Sequence, residues 1–457
     1  MLPSRRFGRF VRPSLSLALF WVLLASLWLA GGASRPDVLG QVVVRGAAWV
    51  LLVAFILWGR RPSFVASRAM LAFVFAAFAL ALIQLVPVPP AWWQSLPGRM
   101  PLADAVRASG QPLPWAQWSM SPSATLNAAG SLVIPFVTLI FVGNIEQTER
   151  RFTTTALLIF IGTSMVMGLL QFSTGVFDNI FVNETPGVIS GTFANRNHFA
   201  LLLAIGCVLT PVWAFEGRDG ASWRTAPAAG LTLLFLLTLL ATGSRAGLGL
   251  GMLGVLLGLL ISSRARQRAL RRYPSWVFPA LLVGILAVIA IGVMISALAG
   301  RAEALDRLFA MDPGQDMRAR GLPVVLDMIR AYLPLGTGLG TFDPVFRANE
   351  PLALLKPTYF NHAHNDILEL VLTAGIPGLI LLLAAMVWWL WASAAAWRGR
   401  SADATLPKLG SAILLLVFLA SIFDYPARTP TIMAFMVIAG IWLSAGSSAL
   451  PWKRRAL

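Results

Sequence analysis

Apolar runs of about 20 residues, the length an α-helix needs to cross a bilayer, recur along this chain and limit its fold more than any other feature. Twelve can be marked, at 14–32, 40–58, 69–88, 126–142, 153–171, 198–215, 228–243, 246–262, 276–299, 367–392, 409–423 and 431–447. They are continuous and do not alternate polar with apolar residues, so they predict helices and not barrel strands. Composition agrees: 57% of the residues are hydrophobic and 12% charged, where a soluble domain carries about a quarter charged residues. The mean hydropathy is +0.75. The seventh, eighth and eleventh runs are short, which leaves merging or tilting open. The expected fold is an all-α polytopic integral membrane protein with about 12 transmembrane helices, forming one membrane domain over 1–457.

Charge distribution tests that count independently. With twelve crossings and a cytoplasmic N-terminus, most of the 36 Lys and Arg fall in cytoplasmic segments and most of the 19 Asp and Glu in outer ones. The net charge of +17 then lies almost wholly at the cytoplasmic face, the positive-inside pattern. Both termini are expected there. Basic stretches such as SRARQRALRR (263–272) read as orientation signals meeting anionic membrane lipids. They are scattered over separate loops with no fold of their own, which argues against nucleic acid. A cleaved signal peptide at SRRFGRF is the poorer reading, because removing the first span would invert the charge pattern. The one cysteine, Cys207, lies in the sixth run and permits no intrachain disulfide.

Two outer loops are long. Residues 89–125 are rich in Trp and Pro, as suits an aromatic anchor at headgroup level. Residues 300–366 carry helical patterning in RAEALDRLFA and PVVLDMIRAY, then the glycine-rich GTGLGTF (336–342). Loops of this length are commonly functional. No βαβ unit surrounds GTGLG, so it predicts a tight turn with exposed amides and not a dinucleotide site.

Polar residues gather at the outer starts of the even-numbered spans: GTFANRNHFA (191–200), SRAG (244–247), HAHND (362–366) and DYPARTP (424–430). Outer arginines run against the positive-inside bias. Snorkelling or pairing with an acid such as Asp424 accounts for any one of them. For Arg196 and Arg245 together, at Gly/Asn/Ser-rich helix starts, anion binding fits better, since unpaired helix amides and a guanidinium fork both match phosphate oxygens. His362 and His364 admit three readings: metal ligands if the segment is extended, a cap by His364 or Asn365, or a general base.

These blocks resemble the O-antigen ligase and polysaccharide polymerase superfamily of bacterial membrane glycosyltransferases. Its ligase signature is His, then Asn, Ser or Gln, nine residues, Gly, two residues, and Gly, Thr or Tyr. His364, Asn365, the nine residues Asp366 to Ala374, Gly375 and Gly378 meet it. GTFANRNHFA, TGSRAG, LPLGTGLGTF and DYPARTP look like the family's other blocks in the same order, over roughly 120–447.

The resemblance implies a twelve-helix protein of the bacterial inner membrane whose large periplasmic loop, here 300–366 between spans 9 and 10, covers the site. It implies transfer of a glycan from undecaprenyl pyrophosphate to an acceptor hydroxyl, with inversion and without a metal or other cofactor. By position, His364 matches the proposed base, and Arg196 and Arg245 the arginines holding pyrophosphate. Arg320, Arg330, Arg428, Asn365 and His362 are secondary candidates. The acceptor is either lipid A core, for a ligase, or a growing glycan, for a polymerase; protein O-glycosylation usually comes with further C-terminal sequence. A flippase for the same lipid-linked glycan is the rival from another class. It predicts charges deep in the spans, where only Arg45 stands clear.

Overall fold

The computed structural model describes residues 12–174, 179–182, 187–215, 223–263, 267, 317–355, 360–399 and 404–447. In chain order its helices are α1 (Leu15–Ala30), α2 (Leu39–Trp58), α3 (Arg68–Gln84), α4 (Pro90–Ser95), α5 (Met100–Ala108), α6 (Pro122–Ser131), α7 (Val133–Gly143), α8 (Arg150–Thr174), α9 (Arg196–Ala214), α10 (Thr225–Thr242), α11 (Arg245–Ile261), α12 (Met317–Tyr332), α13 (Phe342–Asn349), α14 (Asp366–Arg398), α15 (Thr405–Phe423) and α16 (Pro430–Ser447). Two short strands, β1 (Pro87–Val88) and β2 (Ala116–Gln117), pair antiparallel.

Every expected apolar run but one coincides with helix. Among the described residues, seven helical segments are long and apolar enough to cross a membrane, taking α6 and α7 as one, and α1, α3, α11 and α16 are shorter apolar helices. The run 276–299 and the patterned segment RAEALDRLFA lie outside the described residues. Apolar side chains also cover the outer faces: Val50, Val53, Ile56 and Leu57 on α2 and Ile380, Leu383, Val387 and Leu390 on α14 are all exposed. A continuous apolar exterior of this kind suits lipid and not water.

Without a hydrophobic drive between helices in lipid, close approach depends on small residues. α11 supplies them. Gly247, Gly254 and Gly258 lie against α9, where an added Cβ would stand 2.4 Å from Ala200 Cβ, 2.6 Å from the Ala204 carbonyl and 2.6 Å from the Val208 carbonyl. The two helices therefore pack almost backbone to backbone, and their first residues, Arg196 and Arg245, emerge at the same end of the bundle.

α14 is 33 residues long but broken at Gly375, whose φ of 60° and ψ of −151° leave the helix. The break opens carbonyls to the 333–342 loop. Thr337 N–H donates to Leu372 O at 3.0 Å, Gly338 N–H to Thr373 O at 2.8 Å, and Ile376 N–H to Pro334 O at 2.8 Å. A Cβ on Gly375 would lie 2.2 Å from Pro334 O. The expectation of exposed amides in GTGLGTF is thus corrected: Leu339 N–H also donates, to Gln84 Oε1 at 2.8 Å. Positive φ at Gly336, Gly338 and Gly340 lets the loop turn this tightly.

The 89–125 loop likewise does more than anchor. α4, α5 and the β1–β2 pair fold it over the 333–342 loop, joined by Trp118 Nε1 to Leu335 O at 3.2 Å and Met120 N–H to Thr337 O at 2.8 Å. Arg99 is fully buried between the two loops, donating to Trp118 O at 2.6 Å and Gly336 O at 3.2 Å. Its burial lowers the guanidinium pKa to about 10. A small aromatic core beneath this cap includes Tyr332, Phe342, Phe346 and Phe360, and Phe360 packs on the ring of His364 at 5.0 Å.

Gly375→Ala is expected to lower the melting temperature in detergent, because a strained positive φ costs about 1–3 kcal/mol before the clash is counted. Gly162→Ala, inside α8 with nothing within 4 Å of the added Cβ, is the matched control and should not lower the melting temperature.

Candidate active site

Three capped helix starts build the site. Asn195 caps α9 by accepting from Asn197 N–H at 2.9 Å. Ser244 caps α11 by accepting from Gly247 N–H at 3.1 Å. Asn365 caps α14 by accepting from both Ile367 and Leu368 N–H at 3.0 Å. These are side chains that satisfy the orphan amides of a first turn. The α9 and α11 starts are also joined directly, since Ser244 Oγ donates to Asn197 Oδ1 at 2.8 Å.

Asp424, between α15 and α16, ties these starts together. Its carboxylate accepts from Asn197 Nδ2 at 2.5 Å, from Asn195 Nδ2 at 3.3 Å, from Arg318 Nη2 at 3.2 Å and from the Tyr425 amide at 2.9 Å. His364 Nδ1 stands 3.4 Å from Asp424 Oδ1, and His198 Nε2 stands 3.7 Å from the same oxygen. Burial opposes the charge on Asp424, but the His198 and His364 imidazoles and the Arg318 guanidinium outweigh it and hold its pKa well below the ordinary carboxylate value. The group is therefore an anion at neutral pH.

His364 is the one non-glycine residue with positive φ among the described residues, at 51°. That backbone turns its ring toward Asp424 immediately before the helix begins. Burial lowers its pKa, with Asp424 pulling the other way. The imidazole is thus neutral at pH 7. Nδ1 is buried and faces the carboxylate at a distance longer than a well-made hydrogen bond, which leaves Nε2 as the nitrogen turned away from Asp424.

A second group of polar residues lies alongside. His362 Nδ1 is 2.9 Å from Glu369 Oε1, and Arg428 Nε is 3.1 Å from that oxygen and 3.3 Å from Asp366 Oδ1. His362 and His364, two residues apart, thus address different carboxylates. Both pack on the Tyr425 ring, whose centroid lies 4.2 Å from that of His362, 4.9 Å from that of His364 and 4.9 Å from that of His198. Each of the chain's three histidines touches this one phenol ring, whose pKa burial raises.

The expected residues are brought together unequally. Arg196 and Arg245 are the first residues of α9 and α11, half-buried and exposed respectively, beside the Asn197–Ser244 bond. Arg428 enters the cluster through Asp366 and Glu369. Arg330 instead pairs with Asp327 at 2.9 Å on an exposed surface, and Arg320 donates to Ala353 O at 2.7 Å. The arginine of α12 that reaches the cluster is Arg318, which sequence reasoning missed together with Asn195, Asn197, Glu369 and Tyr425. The asparagines in GTFANRNHFA were the available signal.

Asp424→Asn is expected to destabilise the protein by about 3–5 kcal/mol, the usual result of breaking a buried ionic network. Asp327→Asn, which removes an exposed pair, should cost under about 1 kcal/mol. Thermal unfolding of both variants in detergent checks the contrast. The Asp424 contribution is present above its unfolded pKa, near 3.8, and is lost as pH falls through the lower folded value.

No curated protein matches the chain. Residues 230–383 match the family model described as O-antigen ligase. This stretch contains Arg245, Arg318, His362, His364, Glu369 and both signature glycines. The family implies ligase-type or polymerase-type glycosyl transfer between a lipid-linked glycan and an acceptor. The apolar helices suit a membrane protein, and over residues 230–383, about a third of its length, the chain is similar to the O-antigen ligase family.

Proposed function

We propose that this protein is a periplasm-facing glycosyltransferase of the bacterial inner membrane. It takes a glycan from undecaprenyl pyrophosphate and, as an O-antigen ligase, delivers it to a hydroxyl of lipid A core. The observation that carries this reading is a neutral, carboxylate-backed His364 beside two joined helix starts that begin with Arg196 and Arg245.

In the reaction, the acceptor oxygen attacks the anomeric carbon and its proton passes to His364 Nε2. The bond from that carbon to the pyrophosphate oxygen breaks, and the pyrophosphate leaves with the electron pair. Asp424 is a positioning residue: its charge, 3.4 Å from Nδ1, favours the tautomer protonated there and the imidazolium that forms. Arg196 and Arg245, with the positive ends of α9 and α11, meet the charge developing on the leaving group. Inversion follows from a single displacement, and no step calls on a metal. The positive-inside charge pattern supports both termini in the cytoplasm and the site outside.

The decisive assay uses purified protein, a defined undecaprenyl-pyrophosphate glycan and two acceptors, lipid A core and a second lipid-linked repeat, with EDTA present. Transfer to lipid A core that persists in EDTA is expected. Transfer only to the lipid-linked repeat would make the protein a polymerase, and loss in EDTA would bring back the metal. His364→Ala should lower kcat about 10²–10⁴-fold; an undiminished rate sinks its role as base. Arg196→Ala and Arg245→Ala should each cost about 10²–10³-fold, and unchanged donor binding and turnover would remove them from the pyrophosphate site.

The pH profile gives an independent reading. Only neutral His364 accepts a proton, so kcat/KM should fall as pH drops through its pKa, which burial places below the ordinary 6.5. Asp424 opposes that shift, so Asp424→Asn should move the acidic limb to still lower pH while reducing kcat.

A further inference from the structure

The His362 group is better built than the His364 pair and has no part in the reaction above. His362 Nδ1 lies 2.9 and 3.2 Å from the two Glu369 oxygens, and the next residue, Ala363, donates its amide to Glu369 Oε2 at 2.9 Å. Arg428 Nε lies 3.1 Å from Glu369 Oε1. The imidazole face rests on Tyr425, 4.2 Å between centroids with a 36° tilt. Ring position and ring rotation are both determined.

With Nδ1 committed to Glu369, the opposite edge of the ring carries Nε2. Exposure separates the imidazoles from their carboxylates. The Glu369 side chain is 1% exposed and that of Asp424 5%, whereas His362 is 14% and His364 18% exposed. The two imidazoles are thus the more exposed members of two histidine–carboxylate pairs that both pack on one phenol ring. An attacking sugar hydroxyl loses its proton to one group, but a single contact leaves the sugar free to rotate about it. A pyranose carries hydroxyls on adjacent carbons, so one can meet His364 while its neighbour meets a second fixed polar atom.

We propose that His362 orients the acceptor sugar by hydrogen bonding, through Nε2, a hydroxyl next to the attacking one, with Glu369 and Arg428 as positioning residues. This rests on the transferase reading of the preceding section. It assigns the His362 side of the cluster to the acceptor and leaves the helix starts of Arg196 and Arg245 to the donor.

Two near-isosteric substitutions separate this role from a structural one. His362→Asn places an amide near the former Nδ1 and keeps the Glu369 bond, and His362→Gln places one near the former Nε2 and keeps the acceptor contact. Steady-state kinetics with purified full-length protein, a defined undecaprenyl-pyrophosphate glycan and lipid A core measure KM for donor and acceptor separately. His362→Ala and His362→Asn should raise acceptor KM about tenfold, the loss of one hydrogen bond. His362→Gln should restore it to within about threefold, with donor KM within about twofold of wild type throughout. Rescue by Asn and not by Gln would make His362 a structural anchor and overturn the proposal. An unchanged acceptor KM in His362→Ala, or an equal rise in donor KM, overturns it as well. Should His362→Ala fail to accumulate in membranes, the Asn and Gln variants decide alone. Wild-type protein that transfers nothing overturns both readings, whereas active wild type with unaffected variants overturns only this one.

Discussion

A buried carboxylate needs partners or it will not stay ionised, and that requirement at Asp424 organises one end of this bundle. Its neighbours come from α9, α12 and the turn before α14. The Arg318 charge offsets the Asp424 charge, so the adjacent imidazoles need not protonate to balance it. That division of labour leaves His364 neutral and available. The network also explains why three helix starts that share no sequence neighbours meet within one small volume.

The spacing of the ligase-type signature has a mechanical meaning in this setting. Asn365 caps the helix and Gly375 breaks it, so the nine residues between them, Asp366 to Ala374, are one short helical piece. That piece carries Glu369 inward toward His362 and exposes the Leu372 and Thr373 carbonyls to the glycine-rich loop. The loop in turn holds the 89–125 segment, which closes over it. Histidine, asparagine and glycine thus mark the top, the cap and the hinge of a single support for the site.

The apolar exterior and the polar end perform separate tasks. Lipid-facing residues on α2 and α14 hold the bundle in a bilayer, and the glycines of α11 let α9 approach closely. Close approach of α9 and α11 is what brings the Arg196 and Arg245 positions side by side. Packing between α9 and α11 therefore shapes the candidate site at their first residues.

By itself the sequence determined what depends on local pattern. Apolar run length predicts the helices and Asn365 is a predicted cap of α14, whereas the break at Gly375 falls inside a run that reads as continuous. These signals act within a few turns of chain, where hydrophobic length and capping decide the outcome. Only the tertiary structure decided which distant groups meet: Asp424 finds Asn195 229 residues away and Arg318 106 residues away. It also sorted the arginines, sending Arg330 to an exposed pair with Asp327 and Arg318 to the cluster. Two histidines two residues apart went to different carboxylates for the same reason. The partner of a buried charge is set by which side chains packing brings within reach, and that distance is not written along the chain.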